Sequence, residues 1–161
     1  MKAATLRIGL ISDTHGLLRP EALEALRGSD RIVHAGDIGD AGILEALARI
    51  APVTAVRGNN DTGPWASRIR ETETLAAGGV EIHVIHDISR LAGDPAAQGM
   101  SVVVSGHSHR PAQAIRGGVL YINPGSAGPR RFSLPVSVGC LEISGSGVEP
   151  SLIELRLAAM Q

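Results

Sequence analysis

Short apolar runs alternate with polar, glycine-bearing loops along this chain, and the period of the apolar positions changes from run to run. Leu6 to Ile11 is an apolar run that gives way to Ser12 and Asp13, the pattern of a buried strand feeding a loop. Pro20 then opens a helix with apolar positions Leu23 and Leu26, closed by Gly28. Arg31 to His34 reads as a second strand stopping at Ala35-Gly36-Asp37. Asp40 can cap a second helix, in which Ile43, Leu44, Leu47 and Ile50 form one apolar stripe. Pro52 to Val56 is a third strand, ending at Arg57-Gly58-Asn59. Strands alternating with helices in this way predict a parallel sheet with helices packed on it.

After Asp61 the pattern changes. Residues 72–77 and 79–86 predict a hairpin turning at Gly78-Gly79, and 112–116 with 119–122 another at Gly117-Gly118. Between them, Asp94 to Gln98 has the signals of a short helix, and Ser101 to Ser105 reads as a buried strand. Residues 133–143 and 148–157 complete what the pattern presents as a mainly antiparallel second half. With no internal repeat, linker or low-complexity segment, the expectation is one α/β domain over residues 1–161 with two packed sheets.

Composition narrows the function classes. The 161 residues can bury a sizeable core, and 43% apolar with 19% charged residues is a globular balance. One Trp, one Tyr and one Phe leave the core to aliphatic side chains. A net charge of −1, without a basic run longer than Arg130-Arg131, argues against a binder of nucleic-acid backbones. The single cysteine, Cys140, excludes an intramolecular disulfide and reads as a small core residue. No stretch approaches the roughly 20 apolar residues of a membrane helix, and the N-terminus lacks a long apolar leader, so a cytoplasmic protein is expected.

The candidate chemistry lies in the loops. Asp13-x-His15, Gly36-Asp37, Gly58-Asn59-Asn60-Asp61, His86 and Gly106-His107-Ser108-His109 together hold four imidazoles, two carboxylates and an amide. Several follow predicted strands directly, and ligands of an α/β sheet bind outside the carboxyl ends of its strands. Nitrogen and oxygen donors without thiolate suit divalent ions such as manganese, iron, nickel or zinc. Seven such side chains are too many for one ion and about right for two, and paired metals are the usual machinery for in-line attack at phosphorus. His83, three residues before His86 and on the opposite face of its predicted strand, reads as structural. His34 either orients a ligand from behind or is an ordinary strand-end histidine.

In this order the motifs resemble the calcineurin-like metallophosphoesterase superfamily, and within it the small YfcE-type phosphodiesterase group. The likeness spans residues 5 to about 131, and Asn123-Pro124-Gly125-Ser126 with Pro129-Arg130 is similar to a motif of that group. The resemblance implies a four-layer α/β/β/α-type sandwich of two mixed sheets flanked by helices. It implies one metal on Asp13, His15 and His109 and a second on Asn59, His86 and His107, with Asp37 bridging. Of these, Asp37, Asn59 and His107 are the members placed nearest to catalysis. Two divalent ions, manganese first among them, would outweigh the two carboxylates, attract a phosphate ester and acidify a bridging water. The resemblance also points to Asn60, Asn123, Ser126 and Arg130, or its neighbour Arg131, as substrate contacts, with Asp61 supporting its loop.

Two departures from the family pattern bear on the substrate. Many relatives carry His directly after the ligand Asn; here it is Asn60, which cannot protonate a leaving group. Ile85-His86-Asp87-Ile88 stands where the family more often has Thr-His-Gly-His, adding a carboxylate and removing an imidazole. The expected activity is a metal-dependent phosphoesterase acting on small phosphodiesters ahead of monoesters, with no membrane partner; a homo-oligomer is compatible with the sequence. The alternative is a non-catalytic interaction scaffold of the same fold, as the superfamily's retromer subunit resembles this chain yet serves chiefly as a binding platform.

Overall fold

Because few side chains here are aromatic, the interior is closed by flat aliphatic faces, and the fold supplies them as sheets. The computed structural model describes residues 5–131, 133–145 and 147–157. In chain order its elements are β1 (Leu6–Ile11), α1 (Pro20–Leu26), β2 (Arg31–His34), α2 (Ala41–Ala48), β3 (Val53–Ala55), β4 (Thr72–Ala77), β5 (Val80–Ile85), β6 (Val102–Val104), β7 (Ala112–Arg116), β8 (Val119–Asn123), β9 (Ser137–Ser144) and β10 (Gly147–Glu154). Short 3₁₀ turns occupy Pro64–Ala66 and Ile88–Arg90.

Two mixed five-stranded sheets result, ordered β10-β9-β1-β2-β3 and β4-β5-β6-β8-β7. Alternation along the strands decides which face each residue covers. Ile8, Leu10, Val33, Ile82, Val84, Val102, Val104, Ile122 and Leu141 meet between the sheets. Ile11, Leu26, Ile32, Ile43, Leu47 and Val138 pack where the two helices cover the outer face of the first sheet. On the outer face of the second sheet a smaller patch of Ile85, Val103 and Val119 receives Leu91 from the connection after the 3₁₀ turn. The outer helical layer is thus reduced on that side to one turn. Asp40 caps α2 as its sequence predicts, accepting a hydrogen bond from Gly42 N–H at 2.8 Å. Among the described residues no helix is long and apolar enough to cross a membrane.

Two expectations change. Asp94 to Gln98 is a run of hydrogen-bonded turns rather than a helix. Asp94 does cap it through Ala96 N–H at 3.1 Å, but with Gly93 and Gly99 at either side the segment is too short to repay helix nucleation. The second half is mainly antiparallel, as expected, through the pairs β4–β5, β7–β8, β9–β10 and β9–β1, while β5, β6 and β8 run parallel in the middle of the second sheet. The C-terminal pair joins the first sheet, β9 lying antiparallel to β1 and β10 forming the edge, where Pro150 is tolerated because an edge strand needs no donor on its open side. β9 also starts later than expected, at Ser137.

Leu10→Ala, in the fully buried layer between the sheets, is expected to cost about 2–5 kcal/mol of folding stability. Ile115→Ala, at a position 74% exposed on edge strand β7, should stay within about 0.5 kcal/mol of wild type. Urea unfolding followed by circular dichroism checks both.

Candidate metal centre

The parallel strands of both sheets end along one rim. β1, β2 and β3 of one sheet and β5, β6 and β8 of the other lead into the segments carrying Asp13-x-His15, Asp37, Asn59, His86, His107-x-His109 and Asn123-Pro124-Gly125-Ser126. Backbone hydrogen bonds stitch these loops together beyond the strands: Asp13 N–H to Gly36 O and His15 N–H to Asp37 O at 2.9 Å, Gly106 N–H to His86 O at 2.9 Å, and Ala127 N–H to Ser12 O at 3.0 Å. The last of these crosses from one sheet's loops to the other's.

The turns are sharp enough to strain the backbone. Among the described residues, the non-glycine positions with positive φ are Asp13 (54°), His15 (46°), Asp37 (55°), His107 (73°) and His109 (64°). Each such conformation costs on the order of 1–3 kcal/mol and persists only where the surroundings enforce it. All five are candidate ligands. Glycine permits the close approach that does the enforcing: a Cβ on Gly58 would lie 2.3 Å from Asp37 N, and one on Gly106 would lie 2.7 Å from Asp13 Oδ2.

At the centre lies the fully buried Asp13 carboxylate. Its Oδ2 accepts hydrogen bonds from Ser12 Oγ at 2.8 Å and from His107 N–H at 3.1 Å. Among the described residues its Oδ1 is buried without a hydrogen-bond partner, and it faces three ring nitrogens, Nε2 of His109 at 3.4 Å, of His15 at 3.8 Å and of His86 at 3.9 Å. Asp37 Oδ2 lies 3.3 Å from His86 Nε2 and 3.7 Å from His15 Nε2. Both carboxylates therefore stand between imidazoles from the two sheets. Donor atoms gather into two overlapping groups, Asp13-His15-His109 and Asp13-Asp37-His86. Where the resemblance implied Asp37 as the shared carboxylate, Asp13 is the one that belongs to both groups, and Asp37 belongs to the second alone.

These residues fit divalent cations on chemical grounds. Nε2 of His15 and Nε2 of His109 face each other at 3.3 Å, an arrangement that a cation or a shared proton relieves. His86 donates Nδ1–H to Ala35 O at 2.7 Å, which leaves its Nε2 lone pair free, and among the described residues that nitrogen is buried without a hydrogen-bond partner. A buried polar atom so left is costly unless something else satisfies it.

A polar scaffold holds the loops from behind. His34 Nδ1 accepts from Gly36 N–H at 3.1 Å, so Nε2 carries the proton and donates to Thr14 Oγ1 at 3.0 Å, whose hydroxyl passes its own to Ile38 O at 2.7 Å. That neutral ring ties the loop after β1 to the loop after β2, and burial pushes its pKa down to about 4 despite the Asp13 and Asp61 carboxylates. Asp61 accepts from Ile38, Gly39 and Gly58 N–H at 2.8, 3.1 and 2.9 Å, fastening the Asp37 loop to the Asn59 loop. Sequence reasoning reached Asp61 and His34 but not Ser12 or Thr14, whose hydroxyls give no signal until their partners are in place.

The expected substrate contacts divide. Asn60 donates from its backbone to Asp37 Oδ1 at 2.9 Å and from Nδ2 to Oδ2 at 3.2 Å. Asn123 Nδ2 donates to Gly106 O at 3.0 Å and to Ser108 Oγ at 3.1 Å, while Ser126 Oγ, buried, donates to Asp13 O at 2.9 Å. Asn123 and Ser126 thus brace the loops that carry the candidate ligands. Arg130 and Arg131 are both exposed, and the charge of Arg131 adds a little to the lowering that burial imposes on His15. His83 pairs with Thr74 on the neighbouring strand, its ring 3.3 Å from Oγ1 and away from the cluster.

The cluster opens on a cleft of about 340 Å³ lined by Arg57, Asn59, Glu71, Asp87, Arg90 and His107 among others. His107 lies outside the two donor groups, but its ring meets that of His86 edge-on with centroids 5.2 Å apart. Burial raises the Asp37 pKa, yet the His86 ring and Asn60 N–H outweigh it and hold the carboxyl at about 2. His86 is correspondingly raised: burial lowers it, and the carboxylates of Asp37 and Asp13 more than offset that. The site is built to keep Asp37 ionised.

A family model, the calcineurin-like phosphoesterase superfamily domain, matches residues 6–146. A protein of Methanothermobacter thermautotrophicus described as "Probable metallophosphoesterase" is 35% identical over 157 residues, covering 91% of each chain. The phosphodiesterase YfcE of Escherichia coli K12 is 29% identical over 170 residues, covering 85% of this chain and 88% of that one. Among solved structures, vacuolar protein sorting 29 of Cryptosporidium parvum superposes with a TM-score of 0.81 at 21% identity, over 94% of this chain and 92% of that one, a likeness of fold.

Buried neutral His34 generates a pH dependence of known sign. Its folded pKa lies below the ordinary 6.5, so the unfolded chain takes up a proton first as pH falls. Stability from this group is complete above pH 6.5 and is lost on acidification toward pH 4, by up to about 3 kcal/mol. His34→Gln, which keeps a donor and an acceptor but cannot titrate, should flatten that part of the profile in chelator-treated protein. Urea unfolding of both proteins at pH 7, 5.5 and 4.5 measures the difference.

Proposed function

This chain belongs to the calcineurin-like phosphoesterase superfamily, and from that premise we propose that it is a dinuclear metal-dependent phosphoesterase acting on phosphodiesters ahead of monoesters. The observation that carries the reading is the convergence of Asp13, His15, Asp37, His86 and His109 with unpartnered atoms of Asp13 and His86 at their centre. We assign one ion to Asp13, His15 and His109, and a second to Asn59, His86 and His107, with Asp37 between them. Divalent ions, when bound, supply a Lewis acid for the phosphoryl oxygens and a nucleophile at neutral pH. Manganese, nickel, iron or zinc suits four imidazoles better than magnesium does, because magnesium favours oxygen and retains its waters.

The remaining residues divide the work by position. Asn60 steadies Asp37 through two hydrogen bonds and, as an amide, cannot protonate a departing alkoxide, which favours esters with good leaving groups. The cleft beside His86 and His107 offers room for the second arm of a diester, and the name of the YfcE relative points the same way. Arg130 or Arg131, both exposed beyond the Ser126 loop, is the candidate to meet a non-bridging phosphate oxygen. The scaffold reading has the likeness to vacuolar protein sorting 29 in its favour. Against it stands a strained, buried ligand set, which binding another protein at the surface does not require.

Loading with Mn²⁺ followed by desalting should leave two ions per chain. Asp37→Ala should loosen both ions, His86→Ala one far more than the other, and His83→Ala neither. Hydrolysis of bis-4-nitrophenyl phosphate should exceed that of 4-nitrophenyl phosphate, and His86→Ala should lower it by at least the roughly 10–100-fold that loss of a supporting partner alone costs at metal sites. A chain that takes up no metal sinks the dinuclear reading. Activity on neither ester in loaded protein would favour the scaffold.

A further inference from the structure

Asp87 stands where no residue of the proposed chemistry needs a carboxylate, yet its two oxygens are used asymmetrically. It caps the 3₁₀ turn Ile88–Arg90, with Oδ1 accepting both Ser89 N–H at 3.0 Å and Ser89 Oγ–H at 2.8 Å. A cap needs one oxygen. The other, Oδ2, is left facing His107 Nε2 at 3.9 Å across the cleft both residues line. His107 is held by its backbone, with φ at 73° and N–H donated to Asp13 Oδ2, while its side chain is 47% exposed. Its ring therefore lacks the fixing that Ala35 O gives to His86.

We propose that Asp87 is a positioning residue for His107, accepting the ring's Nε2–H so that Nδ1 remains the lone-pair nitrogen offered to a divalent ion. This rests on the metal-dependent reading above. A histidine ligand presents one nitrogen to a metal and commonly gives its other N–H to a carboxylate or carbonyl, which fixes tautomer and ring orientation. His86 does this with Nδ1–H on Ala35 O and Nε2 free; in the proposed arrangement His107 does it in the opposite sense, giving Nε2–H to Asp87, whose Oδ2 lies 3.9 Å away, and keeping Nδ1 for the ion. The gap of 3.9 Å exceeds a hydrogen bond by about 1 Å, within reach of a side-chain rotation while Oδ1 keeps its Ser89 donors. The turn itself puts the carboxylate there: the residue that follows a ligand strand and caps the next turn has one oxygen anchored and one pointing back over the rim.

The test separates a cap from a ring partner. Asp87→Asn keeps an oxygen for Ser89 but turns an NH₂ toward His107 and favours the wrong tautomer, while Asp87→Ser keeps a cap too short to reach the ring. In Zn²⁺ titrations against a chromophoric chelator, both variants should weaken one of the two ions by about 10–100-fold and leave the other within about twofold, Asp87→Asn more severely. Long-range ¹H–¹⁵N correlation of the Zn²⁺-loaded wild type, assigned with His107→Ala, should show His107 protonated at Nε2. Unchanged zinc affinity in Asp87→Asn while wild type binds two ions, or an Nδ1–H tautomer of His107, overturns the role of Asp87 and leaves the metal reading standing. Equal weakening of both ions with loss of dichroism assigns Asp87 to the turn alone and overturns it too, whereas a wild type that binds no zinc removes both proposals.

Discussion

The buried carboxylate of Asp13 is the constraint around which the two sheets are assembled. An ionised carboxylate at zero exposure is expensive unless its oxygens are met by donors or cations. Here Oδ2 is met by Ser12 Oγ from its own strand end and by His107 N–H from the other sheet, and the backbone oxygen of the same residue accepts Ser126 Oγ–H. One residue thereby fixes how the loops of the two sheets interlock. Removing the other donors would leave Oδ1 as only one of several unmet atoms; with them in place it is the unmet atom at the convergence of three imidazoles.

The strain follows from that interlock. Loops leaving parallel strands in two facing sheets must turn inward within two or three residues for their side chains to meet, and for Asp13, His15, Asp37, His107 and His109 this requires left-handed backbone. Asp and His tolerate the region better than most residues, so the ligand chemistry and the turn chemistry select the same side chains. The cost is carried by the neighbouring network, Asp61 on three backbone donors and His34 bridging two loops. The rigidity needed to present ligands to ions and the stability needed to maintain strained loops thus draw on the same hydrogen bonds.

Paired ions would complete this electrostatic design. Asp37 is held ionised by the His86 ring and Asn60 N–H, and the same carboxylates raise His86. The group is balanced so that positive charge at its centre is favoured, and the excess charge of two divalent ions over two carboxylates is then directed outward to the cleft, where an anionic ester would meet it.

The sequence by itself determined the local elements. Apolar runs bounded by glycine and polar residues marked β1, β2, β3 and β6, and the Asp40 cap with its apolar stripe marked α2, because these depend on periodicity and on bonds between near neighbours. It also singled out the candidate ligand side chains, since each lies in the loop that follows such a run. Tertiary structure alone decided which strands pair: β9 and β10 read equally well as partners of the second sheet, and only the open edge of β1 placed them in the first. It decided that Asp94 to Gln98 remains turns, because a capped start without a length of helix to follow has nothing to repay nucleation. It decided, too, that Asn123 and Ser126 brace loops while Asp87 faces His107, for side-chain contacts across 15 to 113 residues of sequence leave no local trace until the sheets are packed.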